Sequence, residues 1–402
     1  MGDRVRYLRS AGAVREQSGR VLQLARADKT RHFVLNEFAL PKLADLVAEV
    51  THASYPTLEV PFHARWRHFS VGGVDREAEL DSLLSPDDDD ERARAKLDLA
   101  TVSVLLDAGA GGGWSYREGA RSYARSEGLA VASVRMFLSG AFSSDRRALR
   151  VDADGLSRIT TADIARGFQV SDENPLVGLE GRALLLRSLG AALKSRTDLF
   201  GDQGRPGFLF DAMRRMATGW KLPAETLLQA VLDGFSSIWP GRISLEGENL
   251  GDVWPYAPLE REGFEPLVPF HKLSQWLTYS LIEPIEKGGV SVVDVGAMTG
   301  LPEYRNGGLF LDGGVLVPKE RSAFDKVYTP DMEFIVEWRA LTVALLDAIA
   351  PLVCSRLDRS EEDFPLAKVL EGGTWATGRK LAREKRADGS PPLHIQSDGT
   401  VF

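Results

Sequence analysis

Cysteine is almost missing from this chain: 402 residues contain one, Cys354, set inside the apolar run LLDAIAPLVCSRL. An intrachain disulfide and a cysteine-based zinc site are therefore both excluded, and a reducing, cytoplasmic setting is expected. Long apolar runs are missing too. No window approaches 18 uninterrupted apolar residues, and the opening MGDRVRYLRSAGAVREQ has no apolar signal core, so no membrane association is expected. The Met-Gly start lacks the hydroxyl residue of a myristoylation signal, since Arg6 stands in its place. Basic excess is absent: 49 Lys and Arg face 57 Asp and Glu, a net charge of −8, and the one dense basic stretch is GRKLAREKR. Nucleic acid is thereby excluded as a general partner.

What is present is a chain that is 44% hydrophobic and long enough to bury a large core. Its apolar positions recur mostly at helical spacing, as in LPKLADLVAEV and PFHKLSQWLTYSLIEPIEK, which predicts a mainly α protein of one large domain. Within it, residues 1–85 read as an N-terminal helical lobe, 95–380 as the main helical body carrying the site, and 381–402 as a tail loosely structured at its start, with an apolar end that docks. SPDDDDER reads as a solvated acidic loop, and ITTADIARG as a helix starting near Thr160. GGLFLDGGVLVPK predicts a minor β hairpin around Asp312-Gly313-Gly314, and Thr329 with Pro330 predicts the start of a long core helix.

Five stretches carry the residue types that chemistry needs. VLLDAGAGGG (104–113) has the glycines, Gly109, Gly111 and Gly113, that let a backbone approach a nucleotide. No strand–helix alternation follows it, so it reads either as a tight structural turn or as a substrate-lining loop with Asp107, Trp114 and Tyr116 beside a flat ligand. VSVVDVGAMTGLP (290–302) mimics a loop that cradles phosphate with backbone amides, with Asp294 and Thr299 in place but Val295 where a second acid belongs. In FHKLSQWLTY (270–279), His271, Gln275 and Thr278 form one polar stripe on an otherwise apolar helix, which either meets a ligand or is satisfied internally. VPFHARWRHF (60–69) concentrates His63, Arg65, Trp66 and His68, as a ligand wall or as surface stacking.

TPDMEFIVEWRALTV (329–343) sets Glu333 and Glu337 four residues apart on one helix face, followed by Ala340 and Ala344. Like charges at this spacing cost about a few tenths of a kcal/mol even when exposed, and more when buried without a cation or a shared proton. One reading is a solvated acidic face favoured by the helix dipole. The other is a carboxylate serving as nucleophile or electrostatic partner for an oxocarbenium-like centre, with a second acid handling protons.

Taken together, PFHARWRHF, LLDAGAGGGWSYREG, the RSEGLAVAS and MFLSGAFSSD block, NPLVGLEGR, FHKLSQWLTYSLIEP and IVEWRALTVALLD resemble the uracil-catabolism family of fungal and bacterial uracil-degradation clusters, a domain of unknown function sometimes labelled uracil phosphoribosyltransferase-like. The resemblance implies a pathway that opens the pyrimidine ring and leaves a ribosylurea-type compound whose N-glycosidic bond must be cut. FHKLSQWLTYS is also similar in layout to the base-reading helix of the queuosine-salvage N-glycosidases, which have an α-helical DNA-glycosylase-like fold. Glu337-Trp338-Arg339 then occupies the place of that family's Asp, aromatic and Arg, with Glu replacing Asp.

The resemblance thus implies an N-glycosidase without metal or organic cofactor, acting on a nucleoside- or nucleotide-like small molecule. Glu337 acts at C1′, with Glu333 or Asp312 as second acid; His271 and Gln275 read the leaving group; His63, Arg65 and Trp66 close the other wall, with Asp107, Trp114, Tyr116 and Arg339 also contacting substrate. The rival readings are a uracil phosphoribosyltransferase using Asp294 and Thr299 with Mg²⁺, and a non-catalytic binding subunit of the same pathway.

Overall fold

Helices begin where the sequence supplies an acceptor for their unsatisfied amides. Ser10 accepts from Ala13 N to open Ala11–Arg26, Asp75 accepts from Ala78 N to open Arg76–Leu83, and Thr160 and Asp163 cap each other reciprocally to open Thr161–Gly167. Asp88 accepts from Glu91 N, so the exposed acidic loop expected at SPDDDDER ends there: Asp89, Asp90 and Glu91 form the first turn of helix Asp89–Leu105, where the dipole favours negative charge. Helix Leu40–Ser54 shows the periodic rule plainly. Leu40, Leu43, Ala44, Val47, Ala48 and Thr51 are buried, and Pro41 stands in the first turn, where its missing N–H costs nothing.

The computed structural model describes residues 2–239, 243–260 and 266–396. Within these the protein is mainly α, and its strands pair only two by two. No doubly wound parallel sheet carries the glycine-rich loop, which follows helix Asp89–Leu105. The chain forms two compact units, each discontinuous in sequence: one from residues 2–63, 243–260, 266–275 and 295–396, the other from 64–239 and 276–294. Helix Lys272–Lys287 contributes residues to both.

In the first unit, helix Glu333–Arg356 packs against Ala11–Arg26 and Leu40–Ser54. It is the one helix among the described residues long and apolar enough to cross a membrane, and 72% of its apolar window is buried inside the protein. It starts at Glu333 after Met332, while Thr329 O accepts from Met332 N in a preceding turn, so Thr329 and Pro330 are not its cap. The hairpin expected at 307–319 is also replaced. Tyr304–Asp312 is a helix capped by Glu303, and strand Leu316–Pro318 pairs antiparallel with the distant Phe33–Leu35. The tail is ordered at its start: Arg386 donates to both oxygens of Asp312 (2.9 and 2.6 Å) and to Ser390 O (2.6 Å). Strand His394–Ile395 pairs with Val327–Tyr328, and residues 397–402, its expected docking end, lie outside the described residues.

In the second unit, helix Asp89–Leu105 packs on Arg125–Leu138, on Leu179–Ser195 and on the 3₁₀ turn Pro206–Phe208. Its residues 97–105 are all buried, so the whole circumference is core, and its C-terminal end delivers Leu106 and Asp107 to the glycine-rich loop. A β hairpin lies next along the chain, Ser115–Glu118 with Arg121–Ala124. Gly128 lets helix Arg125–Leu138 come down on that hairpin, because a Cβ there would stand 2.4 Å from Tyr123 O and 2.9 Å from the Trp114 ring.

Candidate functional site

The expected catalytic carboxylates are all engaged. Glu337 is fully buried, and its Oε1 accepts from the backbone N–H of His32 (3.0 Å) and Phe33 (2.9 Å), its Oε2 from Arg31 N (2.9 Å) and the Tyr256 hydroxyl (2.5 Å). A carboxylate has about four lone-pair directions. Four donors fill them, which leaves none for attack on a sugar carbon; the geometry makes Glu337 an anchor for the segment before strand Phe33–Leu35. Glu333 pairs with Arg31 Nη1 (2.9 Å) and His32 Nε2 (3.2 Å), and Asp312 is held bidentately by Arg386.

The polar stripe of helix Lys272–Lys287 is satisfied internally as well. Buried His271, whose φ of +47° is left-handed, donates from Nε2 to Leu8 O (2.7 Å), and burial pushes its imidazole below the usual histidine value. Gln275 donates to Phe270 O and Thr299 Oγ1 and accepts from Thr299 N at 2.9 Å, so the amide that a phosphate cradle would need is already used. Arg339 makes a bidentate pair with Asp252 at 2.8 and 2.8 Å and lies over the Phe270 ring, 4.0 Å from its centroid. The guanidinium holds the Asp252 carboxyl well below the ordinary carboxylate range, against the effect of burial. His63 Nδ1 lies 2.6 Å from Glu371 Oε2. All of these belong to the first unit.

Arg65, Trp66, Asp107, Trp114 and Tyr116 belong to the second. Trp114 donates to Phe168 O (2.9 Å) and packs on the Phe168 ring, and Tyr116 sits in the hairpin with its phenol pushed up by burial. Arg65 and Asp107 meet: Nη1 and Oδ2 are 2.9 Å apart, with the guanidinium fully buried and 10% of the Asp107 side chain exposed.

A frame of serines fixes Arg65. Its backbone N–H donates to Ser280 Oγ (3.0 Å), whose own proton goes to Trp276 O, and Trp66 Nε1 donates to Ser280 O (2.8 Å). Nε donates to Ser103 Oγ (2.8 Å), which bonds Ser133 Oγ (2.6 Å), and Ser133 donates to Ala130 O (2.8 Å). Nη1 is also within reach of Ser126 O (3.2 Å) and His68 Nδ1 (3.1 Å). The pair is made through one nitrogen and one oxygen. Nη2 of Arg65 and Oδ1 of Asp107, both buried, have no hydrogen-bond partner. Buried polar atoms are normally satisfied, so an open donor and an open acceptor on one ion pair make this pair the candidate for ligand contact. Burial pushes the Arg65 guanidinium below its ordinary value, and Asp107 offsets part of that.

Sequence reasoning passed over Ser103, Ser126, Ser133, Ser280 and Arg182. A usable signal was present in Ser103 and Ser133, hydroxyls in the otherwise apolar runs TVSVLL and LAVASV.

A family model described as "Protein of unknown function (DUF1688)" matches residues 7–402. The chain is 42% identical over 407 residues to "Protein urg3" of Schizosaccharomyces pombe, and 39% identical over 436 residues to "Uracil catabolism protein 4" of Lachancea kluyveri, with 99% of both chains covered in each comparison.

Proposed function

The chain belongs to the DUF1688 family, and from that membership and its full-length relatives we propose that it acts in uracil catabolism, hydrolysing the N-glycosidic bond of a ribosylurea-like nucleoside or nucleotide. The observation that carries the reading is the Arg65–Asp107 pair with its open Nη2 and open Oδ1. A ureido group presents a carbonyl oxygen beside an N–H, which is the complement of that donor and acceptor. Water attacks C1′, the C1′–N bond breaks with its electron pair going to nitrogen, and nitrogen gains a proton, so that ribose and urea leave. As the bond breaks, charge develops on the ureido group. A guanidinium preorganised by Ser103 and Ser126 O on its carbonyl oxygen stabilises that charge, and Asp107 orients the group through its N–H.

This reading moves the ligand chemistry from Glu337, Glu333 and Asp312 to Arg65 and Asp107, because the first three have both carboxylate oxygens engaged, whereas Arg65 Nη2 and Asp107 Oδ1 have no partner. The phosphoribosyltransferase reading loses support from the two-stranded sheets and from the occupied Thr299 N–H.

The test is incubation of the purified protein with ribosylurea and with its 5′-phosphate, following urea and sugar release, beside the variants Arg65→Met and Asp107→Asn. Release by the wild type and its loss in both variants is expected. No release from either compound refutes the hydrolase. Tight binding of ribosylurea without release assigns the non-catalytic role instead.

A further inference from the structure

We infer that Arg182 is a positioning residue that presents the Asp107 carboxylate to the ligand; the inference rests on the role proposed above for Asp107. Arg182 lies near the start of helix Leu179–Ser195 and is buried, but among the described residues it makes no side-chain ion pair. Its guanidinium is spent on main-chain carbonyls. Nε donates to Leu106 O (3.2 Å), Nη2 to Ala108 O (2.8 Å) and Gly109 O (3.4 Å), and Nη1 to Val177 O. Leu106 and Ala108 are the neighbours of Asp107 on either side. Leu106 O lies in the peptide plane just before Asp107, and Ala108 O in the plane one residue beyond the one that follows it, so holding both restrains the main chain on either side of Asp107 and with it the direction in which its side chain leaves the backbone.

The remaining grip ties this loop to the segment before the helix. Val177 N donates to Ala110 O (3.2 Å), and Gly111, at φ +82°, lies so close that a Cβ would stand 2.7 Å from Val177 Cγ2. Arg182 thus joins two otherwise irregular segments at the position of Asp107. A buried guanidinium is an expensive way to satisfy carbonyls. Burial pushes Arg182 down to about 10, with Asp107 the carboxylate that opposes the shift. Lysine lacks the fork that reaches four carbonyls, and methionine fills the space without a donor.

The test compares Arg182→Met and Arg182→Lys with the wild type in urea release from ribosylurea, in hydrogen exchange of amides 106–113, and in the ¹³C resonance of the Asp107 carboxyl without ligand. Displacement of a group by about an ångström costs up to roughly a hundredfold. Arg182→Met should therefore lower kcat by about ten- to a hundredfold with a smaller change in KM, shift the Asp107 resonance and speed exchange at 106–113; Arg182→Lys should recover part of each. Wild-type kcat in Arg182→Met, or a fall in melting temperature alone with the Asp107 resonance unmoved, overturns the inference. If the wild type releases no urea, the hydrolase reading has failed, and the resonance decides separately: unmoved, Arg182 does not position Asp107; shifted, it does.

Discussion

The Tyr256 hydroxyl donates to Glu337 Oε2 at 2.5 Å, and both side chains are fully buried, so the acid that looked catalytic in the sequence is the acceptor at the centre of a structural knot. Glu337→Gln keeps one acceptor oxygen and replaces the other with an NH₂, whose hydrogens face two of the four donors, while the charge that all four stabilise is lost. It should cost about 3 kcal/mol or more, and Tyr256→Phe about 1–2 kcal/mol, in urea-induced unfolding. A Glu337→Gln protein as stable as the wild type but inactive would restore a chemical role to this acid.

Tyr256 also predicts a basic limit. Burial and the Glu337 charge push its phenol well above the ordinary value of 10.0. A group whose folded value is raised contributes stability that is fully present below its unfolded value and is lost as pH climbs beyond it. Wild-type stability should therefore decline above about pH 10 more steeply than that of Tyr256→Phe. Parallel unfolding curves for the two proteins between pH 9 and 11 would contradict this.

His271 predicts the opposite limit. Its folded value is lowered by burial, so its contribution is complete above the unfolded value of 6.5 and is lost as pH falls below it. Unfolding free energy measured from pH 7.5 down to 5 should fall, and the slope should flatten in His271→Gln. The variant should be less stable at neutral pH, since the bond to Leu8 O is strained or lost.

Arg65 and Asp107 can be separated into stability and function. Asp107→Asn leaves a buried cation without its counter-ion and should destabilise the protein by about 3 kcal/mol. Arg65→Met combined with Asp107→Leu removes both charges and should regain most of that loss in unfolding experiments, because apolar replacement of a buried pair is often neutral. Urea release should stay absent. Release by the double variant would exclude the pair from the reaction.

Gly128→Ala tests the seat of the hairpin. The added methyl meets Tyr123 O and the Trp114 ring, neither of which can yield cheaply, so a loss of about 1–3 kcal/mol or more is expected in thermal unfolding. An unchanged melting temperature would show that the hairpin moves aside.

The sequence by itself determined what local rules control. The spacing of Leu40, Leu43, Ala44, Val47 and Ala48, the helix start near Thr160, and the apolar periodicity of the segments that became Lys272–Lys287 and Glu333–Arg356 were all legible, as was the absence of disulfide chemistry. Arg65, Asp107 and Glu337 stood out in the sequence as candidates. Their partners were decided only by tertiary structure. Glu337 meets amides that lie 306, 305 and 304 positions earlier, and Arg182 meets carbonyls more than 70 positions away. Strand Leu316–Pro318 left its expected hairpin for Phe33–Leu35 in the same way. Periodicity reports that a side chain is buried, since burial follows from the helix face it occupies. It cannot report which backbone N–H or C=O will satisfy that side chain, because every residue except proline carries the same donor and acceptor, and only the folded path of the chain selects among them.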